Sequence, residues 1–415
     1  MKASFFCTNS YTSPEALQHP GWPTPPRIYK PEIGARSVEV ALEQARLADE
    51  AGFDWIACSE HHYMPALQTP NPNVFAAALS RVVRRARIAV LGPLVSMSNP
   101  VRVAEELAML DQLTGGRLIA LFLRGTPNEF LAYGVNPEET RARTQEASVL
   151  ITRALSEPEP FGWEGRFFRF RTIAVWPGPI QRPHPPVFYS GNSIESATFA
   201  AANHFGLGMS YYPPHLVAQL ANHYLQECAK VGWRPRPDQI IYRTFMGVAE
   251  TDEEAAGLRS RFFGLEAIAS MFRGRASVTG LAKPPSDQKR DLLAVLHPQG
   301  LRAPGEQMQA IRSARAAKEL GTDANGKNTG ADRGQAGFGF GGLQFCGSPD
   351  TVVKQIAEFH EQTGVGVLDV SFLGAGLTPE EAQRSFRLFT SEVLPRIRGI
   401  GAEPVVAPEA SAAVK

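Results

Sequence analysis

The run Phe53-Asp54-Trp55-Ile56-Ala57-Cys58, followed after Ser59 by Glu60-His61-His62, carries the clearest structural signal in the chain. The first six residues are typical of a buried β-strand, because the run is largely apolar and follows a predicted helix that stops at Gly52. The triplet then places two imidazoles and a carboxylate at the carboxyl end of that strand. Barrel enzymes keep their catalytic residues at this position, so the stretch predicts an active site on the following loop.

Short apolar runs alternate with amphipathic helical stretches in a rhythm of roughly 30 residues, which successive strand–helix units of a parallel sheet require. The pattern predicts eight strands, at residues 3–7, 53–58, 88–91, 118–123, 187–189, 207–210, 240–248 and 367–372. Eight parallel strands suit a closed barrel better than an open sheet. We therefore expect an α/β protein with the (β/α)8 TIM-barrel fold.

The predicted helices cover residues 37–51, 73–85, 100–114, 137–155, 349–362 and 379–396, and a β-hairpin is predicted at 161–171. The third helix has the clearest boundaries. Asn99 is a favourable N-cap, Pro100 suits the first helical position, and Gly115 and Gly116 end the helix.

The predicted domain is a single barrel over residues 1–396. Residues 273–341 are basic and rich in proline and glycine, which predicts an insertion or lid after the seventh strand. Residues 397–415 are predicted to form a disordered tail, because the sequence after Gly401 is rich in alanine, proline and glutamate.

The composition excludes several functional classes. The chain has 42 basic and 41 acidic residues among 415 and no long basic run, so we expect a small-molecule ligand and no nucleic acid. No run approaches ~18 apolar residues and no signal peptide is evident, which predicts a cytoplasmic protein without a membrane span. The four cysteines are far apart, which indicates reduced, buried thiols.

His61, with Glu60 and His62 beside it, is a candidate general acid or base, because histidine exchanges protons near neutral pH. Adjacent histidines on a loop can equally well hydrogen-bond the backbone, and the sequence leaves both interpretations open. No metal site is predicted, since neighbouring side chains point in different directions and no third ligand has a useful spacing.

Two further elements suit a phosphate group. Arg124 and Gly125 follow the fourth strand, where a guanidinium can bind phosphate and glycine allows close backbone approach. Residues 190–196 (Ser-Gly-Asn-Ser-Ile-Glu-Ser) follow the fifth strand and open a helix, whose N-terminus attracts anions. Taken separately, the arginine could form a surface ion pair and the serines an N-cap. Together, at one rim of a barrel, they make a phosphorylated cofactor plausible.

The Rossmann, P-loop and nucleophile-elbow motifs are missing from the sequence, which argues against dinucleotide, kinase-like and hydrolase functions.

The sequence resembles the bacterial luciferase-like family of flavin-dependent monooxygenases. The resemblance rests on five motifs: residues 51–54 (Ala-Gly-Phe-Asp), Glu60-His61-His62, residues 99–106 (Asn-Pro-Val-Arg-Val-Ala-Glu-Glu), residues 110–117 (Leu-Asp-Gln-Leu-Thr-Gly-Gly-Arg) leading to Arg124-Gly125, and Gly347-Ser348-Pro349. It covers most of residues 1–272 and 342–396. The combination is specific, although each motif alone is not.

The resemblance implies a two-component monooxygenase that receives FMNH2 from a separate NAD(P)H-dependent flavin reductase. Such enzymes react the reduced flavin with O2 and use a C4a-peroxyflavin to oxygenate an organic substrate. His61 matches the family's catalytic histidine, with Glu60 and His62 expected to tune it. A homodimer is expected by the same analogy.

The resemblance also assigns residues to the FMN site. Arg124 matches the phosphate-binding arginine, and Ser193 and Ser196 keep the spacing of the phosphate-binding hydroxyls, next to Gly191. Leu91-Gly92 falls where relatives often carry a non-prolyl cis peptide under the isoalloxazine, a strained and functional feature.

Leu123 departs from the family, because some luciferases have a reactive cysteine there, so light emission from aldehydes is not implied. Aromatic residues that could line an apolar substrate pocket are Phe5, Phe6, Trp22, Tyr63, Phe75 and Tyr133. Two other functions stay open: an F420-dependent, hydride-transferring dehydrogenase of the same superfamily, and a non-catalytic flavin-binding protein.

Overall fold

The structure is a computed structural model that describes residues 1–17, 19, 22–262, 343–374 and 376–401. The predicted insertion at residues 273–341 lies outside the described residues. The same holds for residues 402–415 of the predicted tail.

Eight parallel strands close into a barrel, which confirms the predicted TIM fold. In ring order they are β1 (Lys2–Phe6), β2 (Trp55–Cys58), β3 (Arg87–Leu94), β4 (Leu118–Leu123), β7 (Val187–Ser190), β8 (Gly206–Ser210), β9 (Ile240–Val248) and β11 (Val367–Ser371). Strand β11 pairs back onto β1 with Lys2 opposite Val367, so the ring has no open edge. The predicted hairpin is also present, as β5 (Phe161–Glu164) and β6 (Arg169–Ile173) in antiparallel pairing.

Strand β10 (Leu343–Gly347) was not predicted. It pairs in parallel with the carboxyl-terminal half of β9, from Phe245 to Val248. The long β9 therefore contacts β8 and β11 near its start and β10 near its end. The strand was missed because it is short and directly follows the glycine-rich stretch that ends at Gly342.

Helices surround the barrel. In chain order they are α1 (Pro14–Leu17), α2 (Pro31–Ala51), α3 (Pro72–Val82), α4 (Pro100–Thr114), α5 (Pro127–Tyr133), α6 (Thr140–Ser156), α7 (Ile194–Ala202), α8 (Pro214–Lys230), α9 (Asp252–Arg261), α10 (Pro349–Thr363), α11 (Pro379–Leu388) and α12 (Leu394–Ile397). A π-helical turn joins α11 to α12. No helix in the described ranges is both long and apolar enough to cross a bilayer.

Local sequence signals fixed some helix ends correctly and others wrongly. At α4 the Asn99 side chain accepts hydrogen bonds from the backbone N–H groups of Val101 and Arg102, and Gly115 ends the helix with φ +65°. Helix α2 begins six residues earlier than predicted, at Pro31, which occupies a favourable first helical position. The short helix α5, which follows β4, was not predicted at all.

The strand side chains form two cores because they alternate between the two faces of the sheet. The larger core lies between the strands and the helices. The smaller core fills the barrel and comprises Phe6, Trp55, Ala57, Ala89, Leu91, Ile119, Leu121, Phe188, Ile241 and Val367. Gly208 on β8 makes room there, since a Cβ atom at this position would lie 2.3 Å from Cδ1 of Leu121.

The folded part extends past the predicted boundary at residue 396. Ile397 is fully buried, and the amino-terminal ammonium of Met1 donates a hydrogen bond to its carbonyl at 3.0 Å. The same ammonium donates to the carbonyl of Ile400. The segment 397–401 therefore packs against the barrel, because two of its backbone carbonyls accept hydrogen bonds from the ammonium group of Met1.

The expectation of a cis peptide at Leu91-Gly92 is wrong. The cis bonds in the described part of the chain all precede proline, at Trp22-Pro23, Trp176-Pro177 and Arg182-Pro183. Gly92 instead adopts φ +123° where the pairing of β3 with β4 shifts register, and glycine reaches this conformation without steric cost.

Gly92→Ala should destabilise the barrel by about 2–4 kcal/mol, because the new Cβ combines a strained φ with a clash inside packed structure. That Cβ would lie 2.1 Å from Cδ1 and 2.8 Å from Cγ of Leu123. Gly134→Ala is the matched control, since Gly134 has φ +64° with no atom within 4 Å; it should lose only about 1–2 kcal/mol. Chemical denaturation measures the unfolding free energy of both variants. Equal losses in the two variants would contradict the expected clash between a Cβ at residue 92 and Leu123.

Candidate active site

His61 lies on the loop after β2 and is paired with a carboxylate from another loop. Its Nδ1 is 3.0 Å from Oε1 of Glu129, which belongs to α5 after β4. Its backbone N–H donates to the carbonyl of Thr69 at 3.2 Å, which fixes the loop. The His61 side chain is 26% exposed and that of Glu129 only 1%, so the imidazole faces the rim while its partner is buried.

Glu129 is held as an ionised hydrogen-bond acceptor. Burial raises its pKa, but the hydrogen bond from His61, the charge of that imidazole and the hydrogen bonds from Thr126 lower the pKa by more, so that it falls below its usual value. The Thr126 backbone N–H donates to Oε2 at 2.8 Å, and its hydroxyl lies 3.0 Å from the same oxygen. Thr126 and Glu129 thus form the capping box that begins α5.

This pairing determines which nitrogen of His61 is available for chemistry. An ionised carboxylate only accepts, so Nδ1 of His61 donates and the Nε2 lone pair is left to face the rim. A carboxylate that fixes the imidazole tautomer in this way prepares the opposite nitrogen to take up or deliver a proton.

Glu60 and His62 form a separate, buried network. His62 is 1% exposed, with Nε2 2.8 Å from Oε1 of Glu60 and Nδ1 3.2 Å from the hydroxyl of Tyr133. The other oxygen of Glu60 accepts from the backbone N–H of Leu94 at 2.9 Å. The structure therefore does not place Glu60 against His61, as the sequence led us to expect: Glu60 contacts His62, and the carboxylate that contacts His61 is Glu129.

The aromatic residues proposed for a pocket divide into three groups, of which Phe6 alone lies in the core inside the barrel. Trp22 donates its indole N–H to the His62 carbonyl at 3.2 Å, and its ring centroid lies 5.7 Å from that of Tyr63, which is half-exposed. With Tyr133 these residues surround the histidine loop. Phe5 and Phe75 instead pack in the outer core between strands and helices, where they cannot contact a ligand at the mouth.

Ser193 and Ser196 stand together at the start of α7. Their hydroxyl oxygens are 3.1 Å apart, and Ser193 caps the helix by accepting from the Ser196 backbone N–H. The preceding Gly191 is required here, because a Cβ atom would lie 2.0 Å from Cβ of Ser196. Hydroxyls and a helix N-terminus in this arrangement suit an anion.

Two arginines complete this region. Arg141 on α6 reaches the Ser193 hydroxyl at 3.4 Å and the Glu195 carboxylate at 3.2 Å. Burial raises the pKa of Tyr189 to about 12, and the charges of Arg141 and Arg124 oppose that rise. The guanidinium carbon of Arg124 lies 5.9 Å from the ring centroid of Phe130. Strands β4 and β7 are paired neighbours, so Arg124 and the serine loop leave the barrel side by side. The donors present here fit a phosphate monoester.

A cavity of about 40 Å³ opens between this anion site and the barrel interior. Its lining comprises Leu91, Leu121, Leu123, Ser190, Gly208, Met209, Ser210, Ile241, Arg243 and Asp369. Leu91, predicted to contact a flavin, therefore shares a space with Ser190, which immediately precedes the anion-binding loop.

The sequence did not identify Glu129 or Arg141. Thr126 and Glu129 have the spacing of a capping box, which could have located α5 but not its contact with His61, 68 residues away. Arg141 lies on a helix with no motif around it. Both contacts depend on tertiary structure.

An α/β barrel with a histidine–carboxylate pair and a candidate anion site at the same rim is typical of cofactor-dependent barrel enzymes. The luciferase-like monooxygenase family model matches residues 18–365, and the chain belongs to that family. This confirms the resemblance inferred from the motifs.

Several curated relatives are flavin-dependent or alkanal monooxygenases, and two of them illustrate the range. The oxygenase component of the flavin-dependent trigonelline monooxygenase of Acinetobacter baylyi is 25% identical over 294 residues, covering 68% of this chain and 80% of the relative. The FMNH2-dependent dimethylsulfone monooxygenase of Pseudomonas putida is 29% identical over 164 residues, covering 38% of this chain and 44% of the relative. The chain spans about half the length of several other curated relatives.

Solved structures share the fold at lower identity. Monooxygenase RslO1 from Streptomyces bottropensis has a TM-score of 0.68 at 23% identity, covering 95% of this chain and 99% of that one. The oxygenating constituent of 3,6-diketocamphane monooxygenase of Pseudomonas putida, in complex with FMN, has a TM-score of 0.63 at 20% identity, with coverages of 95% and 98%. An F420-dependent secondary alcohol dehydrogenase has a TM-score of 0.61 at 15% identity, with coverages of 96% and 99%.

Glu129→Gln should reverse the tautomer of His61. The donors of Thr126 will hold the amide oxygen, so the amide NH2 must face Nδ1, which then has to accept and leaves the proton on Nε2. Nitrogen-15 NMR of histidine-labelled protein distinguishes the two forms, with His61→Ala to assign the signal. Glu60→Gln is the control and should leave His61 unchanged, because Glu60 contacts His62. An unchanged His61 spectrum in Glu129→Gln would contradict the assigned donor.

Glu129 should also contribute to stability at mildly acid pH. A carboxyl whose pKa is lowered by folding stabilises the native state above its unfolded pKa, and this stabilisation is lost as the pH falls through the folded value. The stability advantage of wild type over Glu129→Gln should therefore shrink below about pH 4.5, the usual value for glutamate. Urea unfolding of both proteins at several pH values measures this difference in unfolding free energy. A difference that does not change with pH below about pH 4.5 would contradict the lowered pKa of Glu129.

Proposed function

We propose that the protein is the oxygenase component of an FMNH2-dependent, two-component monooxygenase acting on a largely apolar small molecule. The observation that supports the proposal is that His61, paired with Glu129, follows the carboxyl end of β2, while Arg141 and Ser193 follow the carboxyl ends of neighbouring strands at the same rim, where we expect Arg124 to join them in binding an anion. A flavin mononucleotide offers one phosphate to such a site and one redox ring to the neighbouring histidine.

The residues present fit FMN. Arg124, Arg141, Ser193 and Ser196 would hold the phosphate, with Gly191 allowing backbone approach. The wall formed by Leu91, Gly92 and Leu123 would receive the apolar face of the ring system. Reduced FMN, when bound, supplies the electrons that activate O2 for transfer to the substrate.

The protein's own contribution to the chemistry is proton handling at His61. Glu129 fixes the tautomer, so Nε2 can accept a proton from a reacting group and return it without a change in the loop. The buried pair of His62 and Glu60 holds the loop in position, because Glu60 also accepts a hydrogen bond from the backbone N–H of Leu94.

Trp22 and Tyr63 next to the histidine loop support a largely apolar substrate. The relatives named above act on small organic molecules as different as trigonelline and dimethylsulfone. Membership of the family therefore does not define the substrate of this chain. The substrate depends on the shape and polarity of its own site.

A separate NAD(P)H-dependent flavin reductase, O2 and an organic substrate are the partners that go with this proposal. One relative is itself called an oxygenase component, which supports a second protein that supplies reduced flavin. We also propose a cytoplasmic location, because the reductase that would supply reduced flavin uses NAD(P)H. A homodimer remains a proposal by analogy with the family.

The main alternative is F420-dependent hydride transfer. The structural likeness to an F420-dependent dehydrogenase favours it as a second candidate, and an anion site alone does not separate two phosphorylated cofactors. A purely flavin-binding protein would need no fixed tautomer at a rim histidine, so the pair of His61 and Glu129 argues against that function.

The function is tested by mixing anaerobically reduced FMN with aerated buffer and following the return of oxidised flavin by stopped-flow absorbance. Wild-type protein in excess should change this time course. Arg124→Met/Arg141→Met should bind reduced FMN roughly 100-fold more weakly and leave the time course near that of free flavin. His61→Asn should still bind the flavin but lose roughly 10²–10⁴-fold in substrate oxygenation.

A second assay tests the dehydrogenase alternative. The same protein is mixed with reduced F420 and ketones, and hydride transfer from F420 is measured. Hydride transfer from F420 together with an unchanged FMNH2 oxidation would favour the dehydrogenase and refute the monooxygenase. His61→Asn that loses neither activity would refute the role of the histidine. Glu106→Gln, on the outer helix α4, is the control for nonspecific effects of substitution.

A further inference from the structure

A buried ion pair lies inside the barrel, below the mouth. Nε of Arg243 on β9 is 2.6 Å from Oδ2 of Asp369 on β11, and the hydroxyl of Ser4 on β1 donates to Oδ1 at 2.7 Å. Asp369 is fully buried. Burial raises the pKa of Asp369, while the Arg243 guanidinium and the Ser4 hydroxyl oppose that rise. Three strands thus fix this pair in one position.

The guanidinium of Arg243 is incompletely bonded. Its carbon lies 3.7 Å from the ring centroid of Phe6, so one face of the group is covered. Its Nη2 is buried and has no hydrogen-bond partner among the residues that the structure describes. A buried donor without an acceptor is costly, and proteins retain such groups where a ligand satisfies them.

Arg243 and Asp369 both line the cavity that also contains Leu91 and Ser190. Under the proposed function, Leu91 contacts the isoalloxazine, and Ser190 leads into the phosphate loop. Under that function, one edge of the bound cofactor can therefore reach this cavity.

The charge of the cluster indicates what kind of acceptor Nη2 would bind. Asp369 balances the charge of Arg243, so the pair presents a strong donor with little net charge. Such a donor suits a neutral carbonyl oxygen better than a phosphate, whose charge the partly exposed Arg141 can meet at lower desolvation cost.

We propose that Arg243 is a cofactor-positioning residue whose Nη2–H donates to a carbonyl oxygen on the pyrimidine edge of the isoalloxazine. This inference rests on the proposed FMN-dependent function and adds a second attachment point. With the phosphate held by Arg141 and Ser193 and the ring edge held by Arg243, the flavin is fixed at both ends. Asp369 and Phe6 keep the guanidinium in place before the cofactor arrives.

The test measures FMN binding by absorbance titration in wild type, in Arg243→Met/Asp369→Asn and in Asp369→Asn. The double variant removes both charges, because Arg243→Met alone would leave Asp369 buried without its cation and could prevent folding. We expect the double variant to bind FMN roughly 10-fold more weakly. It should also lose the shift of the flavin's visible bands on binding, which a purely structural defect would not remove.

Asp369→Asn gives an independent readout. It leaves the positive charge of Arg243 uncompensated beside the pyrimidine edge, which should raise the midpoint potential of bound FMN by favouring the anionic reduced flavin. Arg87→Met is the matched control, since Arg87 is a partly buried arginine at the amino end of β3 that donates to Gln181 and to the Leu118 carbonyl. It should leave both FMN affinity and the spectrum as in wild type.

The outcomes separate the inference from the function on which it rests. Wild-type protein that binds neither oxidised nor reduced FMN would overturn both. Wild type and double variant that bind FMN with equal affinity and identical spectra would overturn the role of Arg243 and leave the monooxygenase proposal standing. An unchanged midpoint potential in Asp369→Asn would also overturn it, even if the double variant proved too unstable to titrate.

Discussion

The parallel pairing of β1 with β11 is the constraint on which the rest of the structure depends. It closes the ring and pairs residues 2–5 with residues 367–370. Because all eight strands of the ring run in one direction, the loops after their carboxyl ends meet at a single rim. The contact of Ser4 with Asp369 exists only because these two strands are neighbours. Without closure, the histidine loop and the anion-binding loop would have no fixed relation.

Two adjacent histidines serve two different purposes at this rim. The ring of His62 is hydrogen-bonded to Glu60 and Tyr133, and its backbone carbonyl accepts from the Trp22 indole, so these bonds hold the loop in shape. His61 points the other way, toward Glu129 and the mouth of the barrel. A strand end followed by an irregular loop allows this division, because successive side chains alternate in direction. The buried member of the pair supports the position of the partly exposed one.

The sequence predicted most of the fold because the relevant signals are local. The caps of α4 and the alternation of strands and helices depend only on residues close in the chain. Strand β10 was missed because five residues beside a glycine-rich stretch carry little periodic signal. The cis peptide at Leu91-Gly92 was predicted by family resemblance, and a positive φ at Gly92 replaces it. For the candidate site, the sequence named His61, Arg124 and Ser193. Glu129, Arg141 and Arg243 enter the candidate site through contacts that single-sequence patterns do not encode.

The most direct measurement of the central claim is a crystal structure of the protein soaked or co-crystallised with FMN. The account predicts that the phosphate oxygens lie within hydrogen-bonding distance of Arg141 and Ser193, with the isoalloxazine at the barrel mouth between Leu91 and the Nε2 side of His61. A flavin bound elsewhere, or a phosphate that contacts neither residue, would contradict the account.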